Sequence, residues 1–274
     1  MALQFLAIRV GQPCAKGEVV LENTAPMGRE RSCLKLLPLL FLPHGADHVA
    51  PENRHCRARL TELTLAPNGA SCSSMELDLE GQFADRAYPI LASLVVPRPI
   101  ALVTTISPDG KVNAAPFSFF NVLGADPPIL ALAPGDRDDG TPKDTARNIR
   151  LTHEFVVNLV DESLSEAMNK CAASLPYGVD ELQQAGLHPL QSSVVKPPRI
   201  AEAPASLECK EWGTLNIGDN LVVIGLVKRV HLREELFDAE KKRVRSDKLF
   251  LIGRMASPHW YCKTRDRFEI IRPE

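Results

Sequence analysis

Residues 100–107 read Ile-Ala-Leu-Val-Thr-Thr-Ile-Ser, followed by Pro108-Asp109-Gly110 and a second run from Val112 to Leu123. Both runs are rich in β-branched and apolar residues, and Pro with Asp-Gly between them is turn chemistry, so the stretch reads as a β-hairpin. Beyond it, Pro128–Ala133 and Phe155–Val160 are further short apolar strands. Between those two, Lys143–His153 sets Ala146 and Ile149 at helical spacing, with Thr141 or Asp144 as the cap. Residues 162–174 and 179–186 read as short helices, the first with Leu164, Ala167, Met168 and Cys171 on one face. Ser206–Ile217 and Leu221–Leu232 flank Gly218-Asp219-Asn220, a second hairpin signal. Gly225 inside the latter run marks a bulge or a tight barrel corner. Hairpin-linked strands with inserted helices predict a mainly β protein, an antiparallel barrel with helical excursions. The alternation of a doubly wound parallel sheet is missing.

The chain has 274 residues and a formal net charge of −2, which gives no reason to expect nucleic acid or an anionic membrane as partner. Its 7 cysteines form no CxxC pair and no regular spacing, so the expectation is a reducing, cytoplasmic setting. The apolar run Leu34–Pro43 is broken by Lys35 and Pro38 and is too short to span a bilayer. Residues 1–74 carry no sustained periodicity, and Met75 opens a segment that reads like an ordinary protein start. The expectation is that residues 1–74 are disordered or a non-native extension, and that 75–274 form the folded domain. His44, His48, His55, Cys56 and Cys72 have only ragged spacing for a metal, and no metal site is expected. The basic run Lys241–Arg245 sits among Glu234, Glu235, Asp238, Glu240 and Asp247, which reads as a solvated loop.

Chemistry-bearing residues gather between Pro97 and Asn148. Ala115-Pro116-Phe117-Ser118-Phe119-Phe120-Asn121 mixes small residues, a hydroxyl, an amide and three aromatics. These are either core or the wall of a site for a flat, partly polar ligand. Strand alternation would put Phe117, Phe119 and Asn121 on one face and Pro116, Ser118 and Phe120 on the other. Lys143-Asp144-Thr145 is either a plain helix start with a capping acid or a phosphate site, where free N–H groups join a lysine and a hydroxyl. There is no GxGxxG, no P-loop, no HExxH and no GxSxG, so a Rossmann site and the common hydrolase centres have no support. The aspartate-rich loop Gly135–Pro142 reads as solvated rather than as a lid.

The order PRPIALVTT, a glycine turn, N-A-APFSFFN, DPP-IL, KDTARNI, FVVN over residues 82–260 resembles the flavin reductase-like family. That resemblance implies an FMN-binding split β-barrel and a homodimer. It implies contacts to the flavin ring from Ala115, Pro116, Phe117 and Ser118, with Asn121 beside them. It assigns the phosphate and ribityl tail to Lys143, Asp144, Thr145 and Asn148, and adds Arg98 and Thr104 from the first strand. His259, Trp260 and Tyr261 would either line the open face of the flavin or pack the tail onto the barrel. NADH or NADPH would pass hydride to flavin N5, and backbone N–H groups of Ala115–Ser118 would stabilise the reduced ring. No side chain acts as acid or base in such a reaction, so no catalytic residue is expected. The alternative is a non-enzymatic flavin- or haem-binding carrier or electron-transfer protein on the same barrel.

Overall fold

A computed structural model describes residues 74–273 except 136, 138, 139 and 257. The expectations for the stretch preceding Ser74, including its histidines and cysteines, lie outside the described residues. In chain order the elements are α1 (Ala87–Leu94), β1 (Arg98–Pro99), β2 (Ala101–Ile106), β3 (Val112–Phe117), β4 (Phe120–Ala125) and β5 (Pro128–Leu132). Then follow α2 (Asp144–Thr152), β6 (Glu154–Leu159), α3 (Ser165–Lys170), α4 (Glu181–Ala185), β7 (Pro189–Leu190) and β8 (Arg199–Ile200). The last are β9 (Ala205–Ile217), β10 (Asn220–Leu232), β11 (Phe237–Asp238), β12 (Arg243–Val244), β13 (Ile252–Arg254) and β14 (Tyr261–Lys263).

Seven strands form one antiparallel sheet in the order β3-β2-β6-β9-β10-β5-β4. Its two edges, β3 and β4, are separated in sequence by only Ser118 and Phe119. Three residue steps reach at most about 11 Å. Seven strands laid flat would hold their edges roughly 28 Å apart. The sheet must therefore curl until its edges meet, and because β3 and β4 do not pair, the resulting antiparallel barrel is split there. This is the expected fold class.

Alternation along β2 assigns its side chains to two cores. Ala101 and Val103 join Phe117, Phe120, Leu130, Ile149 and Phe155 in one. Leu102 joins Ile100, Leu164, Met168 and Leu182 in the other, beneath α3 and α4. The predicted face of α3 is thus the buried one, with Leu164, Met168 and Cys171 each under 4% exposed. Gly225 marks a real irregularity. Pairing jumps from Ile224↔Gly213 to Gly225↔Glu211, leaving Trp212 as an extra residue, and a methyl group on Gly225 would lie 2.5 Å from Phe155 Cζ.

Two expectations need correcting. The run Val112–Leu123 is two strands, and alternation does not continue through it. Phe117 and Phe120 both enter the same core while Phe119 is 44% exposed. The cause is the switch from one sheet edge to the other at Ser118-Phe119, which resets the pleat. The cap of α2 is Lys143 itself, not Thr141 or Asp144, and among the described residues no side chain makes a capping hydrogen bond there. Among the described residues no helix is long and apolar enough to cross a membrane.

Candidate functional site

A cavity of about 590 Å³ opens where edge strand β3, the start of α2 and the segment after α3 converge. Its size is that of a small-molecule site. β3 contributes Asn113, Ala115, Pro116 and Phe117, and the chain entering α2 contributes Arg137, Lys143, Asp144 and Thr145. Cys171 to Leu175 and Glu181 form the third wall.

The backbone of β3 decides what that strand can offer. Ala114 N–H points away from β2 and donates to Glu181 Oε2 at 3.0 Å. Donors alternate along a strand, so Ala115 and Phe117 turn their N–H groups into the ladder with Val103 and Ala101. Pro116 faces outward and has none, which is why proline is tolerated at this edge. Of the donors expected across Ala115–Ser118, only Ser118 lies outside the ladder. The strand therefore presents a flat apolar edge rather than a row of donors.

The opposite wall is cationic. Among the described residues α2 starts with no side-chain cap, and the first-turn N–H groups of such a helix start are a favourable end for an anion. Arg137 donates to Asp144 Oδ2 at 3.0 Å and to Pro142 O at 3.0 Å. Lys143 lines the cavity without a carboxylate partner among the described residues. Behind α2, Asn113 Nδ2 donates to Thr145 Oγ1 at 2.9 Å, and Asn148 Nδ2 donates to Thr105 Oγ1 at 3.0 Å. This buried lattice holds the helix start against the β2–β3 hairpin. Asn148 lies in that lattice and not on the cavity wall, and its Oδ1 has no partner among the described residues. It borders a void of about 10 Å³, room for about one water.

The structure thus brings together Ala115, Pro116, Phe117, Lys143, Asp144 and Thr145, and leaves the other named residues elsewhere. Arg98 is buried at 6% exposure and donates to Ser118 Oγ (3.3 Å), Val95 O (3.1 Å), Met255 O (3.2 Å) and Ala92 O. It ties α1, the edge crossover and the β13–β14 hairpin together. With Ser118 and Asn121 it lines a separate cleft of about 290 Å³ on the other side of the crossover. Thr104 faces away from the cavity, donating to Pro198 O and accepting from Asn158 Nδ2 at 3.3 Å. Alternation along β2 turns Thr105 instead toward α2, where it accepts from Asn148 Nδ2 without lining the cavity. His259 and Trp260 are exposed, Trp260 at 69%; Tyr261 lines a third cleft and lies under Arg254, 4.6 Å from its ring centre.

Eight wall residues were not among the expected site residues, and three of them are titratable: Arg137, Cys171 and Glu181. Arg137 lies in the loop read as acidic and solvated. Cys171 was assigned only to a core face; burial, with Glu181 and Asp180 nearby, pushes its thiol up to about 12, so it is inert. Glu181 follows Asp180, which caps α4 by accepting from Leu182 and Gln183 N–H. In sequence the pair reads as a cap and an acidic first turn, with no signal that the second carboxylate reaches β3. Burial raises the Glu181 pKa against the opposing Ala114 N–H, and Asp144 and Asp180 push it the same way as burial.

Residues 93–254 match the family model described as a flavin reductase like domain. The chain belongs to the flavin reductase-like family. Similar solved structures include Pseudomonas fluorescens 2-nitrobenzoate 2-nitroreductase, 36% identical with a TM-score of 0.66, covering 73% of this chain and 96% of that one. Nitrilotriacetate monooxygenase component B from Bacillus cereus is 34% identical with a TM-score of 0.68, covering 73% and 100%. A split-barrel protein from Shewanella frigidimarina is 20% identical, with a TM-score of 0.62 and coverage of 73% and 100%, and extends the likeness of fold. Family membership makes this a protein of a flavin-utilising reductase class, with oxidoreductases among its structural relatives.

Proposed function

We propose that the protein is an NAD(P)H-dependent flavin oxidoreductase that uses FMN. The observation that carries this reading is the pairing of a flat apolar edge, Ala115–Phe117, with the uncapped start of α2 and Lys143 across one cavity. An apolar ring and a phosphate on a short tail need those two walls, and the donor set fits them. Bound FMN would supply the redox chemistry, accepting hydride from a nicotinamide and passing electrons to an acceptor.

The residues bind and orient. Lys143 and the first-turn N–H groups of α2 hold the phosphate, while Thr145, fixed by Asn113, sets the height of that turn. Pro116 and Phe117 exclude water from one face of the ring. No side chain is needed to move a proton, and the high pKa of Cys171 keeps it out of the chemistry.

The reading extends to a homodimer in the cytoplasm. Tyr88, Leu91, Leu94 and Val95 leave an apolar face of α1 exposed, and Tyr88 meets exposed Phe119 edge-on at 5.8 Å. That continuous patch is the surface a second copy would cover, and light scattering showing a monomer at micromolar concentration would remove it. Free Cys171, Cys209 and Cys262 suit a reducing compartment.

The test is spectroscopic. The full chain should take up FMN and lose its yellow absorbance on anaerobic addition of NADH or NADPH. Lys143→Ala should weaken FMN binding about tenfold or more, the effect of one charge-assisted hydrogen bond. A protein that ignores added FMN, or a Lys143→Ala variant that binds it undiminished, would overturn the reading.

A further inference from the structure

Glu181 is a buried carboxylate that the redox reading leaves without a task. It is 8% exposed and lines the 590 Å³ cavity, and one of its oxygens is spent on Ala114 N–H. Among the described residues the only sealed, unpartnered side-chain atom is Asn148 Oδ1. Apart from Ala114 N–H and Glu181's own N–H, no donor among those residues reaches the carboxylate, and because Oε1 is not sealed in a residue that lines the cavity, we take that oxygen to face it. A half-satisfied carboxylate in a buried wall is stabilised by a ligand that brings a donor.

Its place selects which donor. Ala114 precedes the apolar edge Ala115–Phe117 and follows Asn113, whose side chain is bound to Thr145 at the α2 start. Glu181 thus stands between the wall that suits a ring and the wall that suits a phosphate. A carboxylate there disfavours an anion and accepts from a neutral hydroxyl. We propose that Glu181 is a specificity-determining residue of the cavity, accepting a hydrogen bond from a hydroxyl of the ligand's polyol chain. For a flavin, on whose binding here this inference rests, that chain is the ribityl group between ring and phosphate.

Three probes separate the contributions: FMN, riboflavin, which lacks the phosphate, and lumiflavin, which keeps the ring but lacks the ribityl hydroxyls. Glu181→Gln retains an acceptor for Ala114 N–H and a neutral hydrogen bond, and should weaken FMN and riboflavin about fivefold while leaving lumiflavin within twofold. Glu181→Met, which keeps the length and loses both bonds, should weaken the first two about tenfold or more and lumiflavin much less. Equal loss for all three ligands would overturn the inference, because a residue that merely braces β3, or that contacts the ring, would produce it. Should Glu181→Met fail to fold, the Glu181→Gln series decides alone. Wild-type protein that binds none of the three would refute the flavin reading itself, whereas wild-type binding with an unchanged riboflavin-to-lumiflavin ratio in Glu181→Gln refutes only the role of Glu181.

Discussion

Gly225→Ala should destabilise the barrel by about 1–2 kcal/mol and leave FMN affinity within twofold. The added methyl group would sit 2.5 Å from Phe155 Cζ and 3.2 Å from both Phe155 Cε1 and Leu130 Cδ1. Carbon contacts relax to about 3.5–4.0 Å, so the ring would have to retreat by about 1 Å. Phe155 and Leu130 are both 0% exposed and packed on all sides, so retreat displaces other core residues. Overpacking of this kind costs about 1–3 kcal/mol. Replacing glycine also restricts the unfolded chain, which returns about 0.4–1 kcal/mol and sets the net figure. Urea unfolding should show a lower midpoint with an unchanged slope. Phe155→Leu removes the clashing ring edge, so the double variant should be more stable than the sum of the singles by about 1 kcal/mol or more. A midpoint in Gly225→Ala at or above wild type, or strict additivity with Phe155→Leu, would refute the claim that the ring demands glycine here.

Arg98→Lys should cost about 2–4 kcal/mol, because one ammonium cannot replace a guanidinium that serves Ser118, Val95, Met255 and Ala92 together. A thermal shift worth under about 1 kcal/mol would show that these bonds do not hold the crossover. Stability should also fall in acid through Glu208, whose carboxylate accepts from Ser193 N–H at 2.7 Å, Val194 N–H at 2.6 Å and His231 Nε2 at 2.5 Å. Burial raises its pKa, but those donors outweigh it and the net shift is downward. The unfolded chain then binds the proton first, so stability is full above the ordinary glutamate range near about 4.3 and is lost as pH falls through the lower folded value. Glu208→Gln should flatten that acid limb, and an unchanged limb would dismiss the assignment. Tyr177 lies between Lys111 Nζ at 4.9 Å and Arg147 Cζ at 4.7 Å and so latches the segment that supplies Ala172–Leu175 to the cavity. Tyr177→Ala should weaken FMN about fivefold and Tyr177→Phe should not, as fluorescence titration would show; identical behaviour of the two variants would remove the latch.

The fold was legible wherever local chemistry and global pairing agree. Pro108-Asp109-Gly110 and Gly218-Asp219 sit between strands that pair with their neighbours in sequence, so turn residues announce both hairpins. Leu164, Met168 and Cys171 show the buried face of α3 because a short amphipathic helix on a sheet has no other way to hide them. The edge switch at Ser118-Phe119 was not legible. A barrel closes through pairings distant in sequence, and nothing local records that β3 and β4 end on opposite edges of one sheet.

The site divides along the same line. That Lys143, Thr145 and the apolar residues of β3 line one cavity was readable because a helix start and an aromatic-rich strand each carry a local pattern. Thr104 and Thr105 are adjacent and chemically alike, so only the register of β2 against Ala114 and Asn113 decides which one faces α2. Pro116 did carry usable information. A proline inside an apolar strand implies an outward-facing, unpaired position on a sheet edge. From that alone, the neighbouring N–H groups of Ala115 and Phe117 must point into the ladder, and no row of backbone donors can face a ligand. The same alternation turns Ala114 N–H outward, where an edge donor beside a buried cavity requires an acceptor. The sequence does not say which residue supplies it. That Glu181 does so, from a helix 67 positions away, is a consequence of the barrel's closure and of α4 packing on β3.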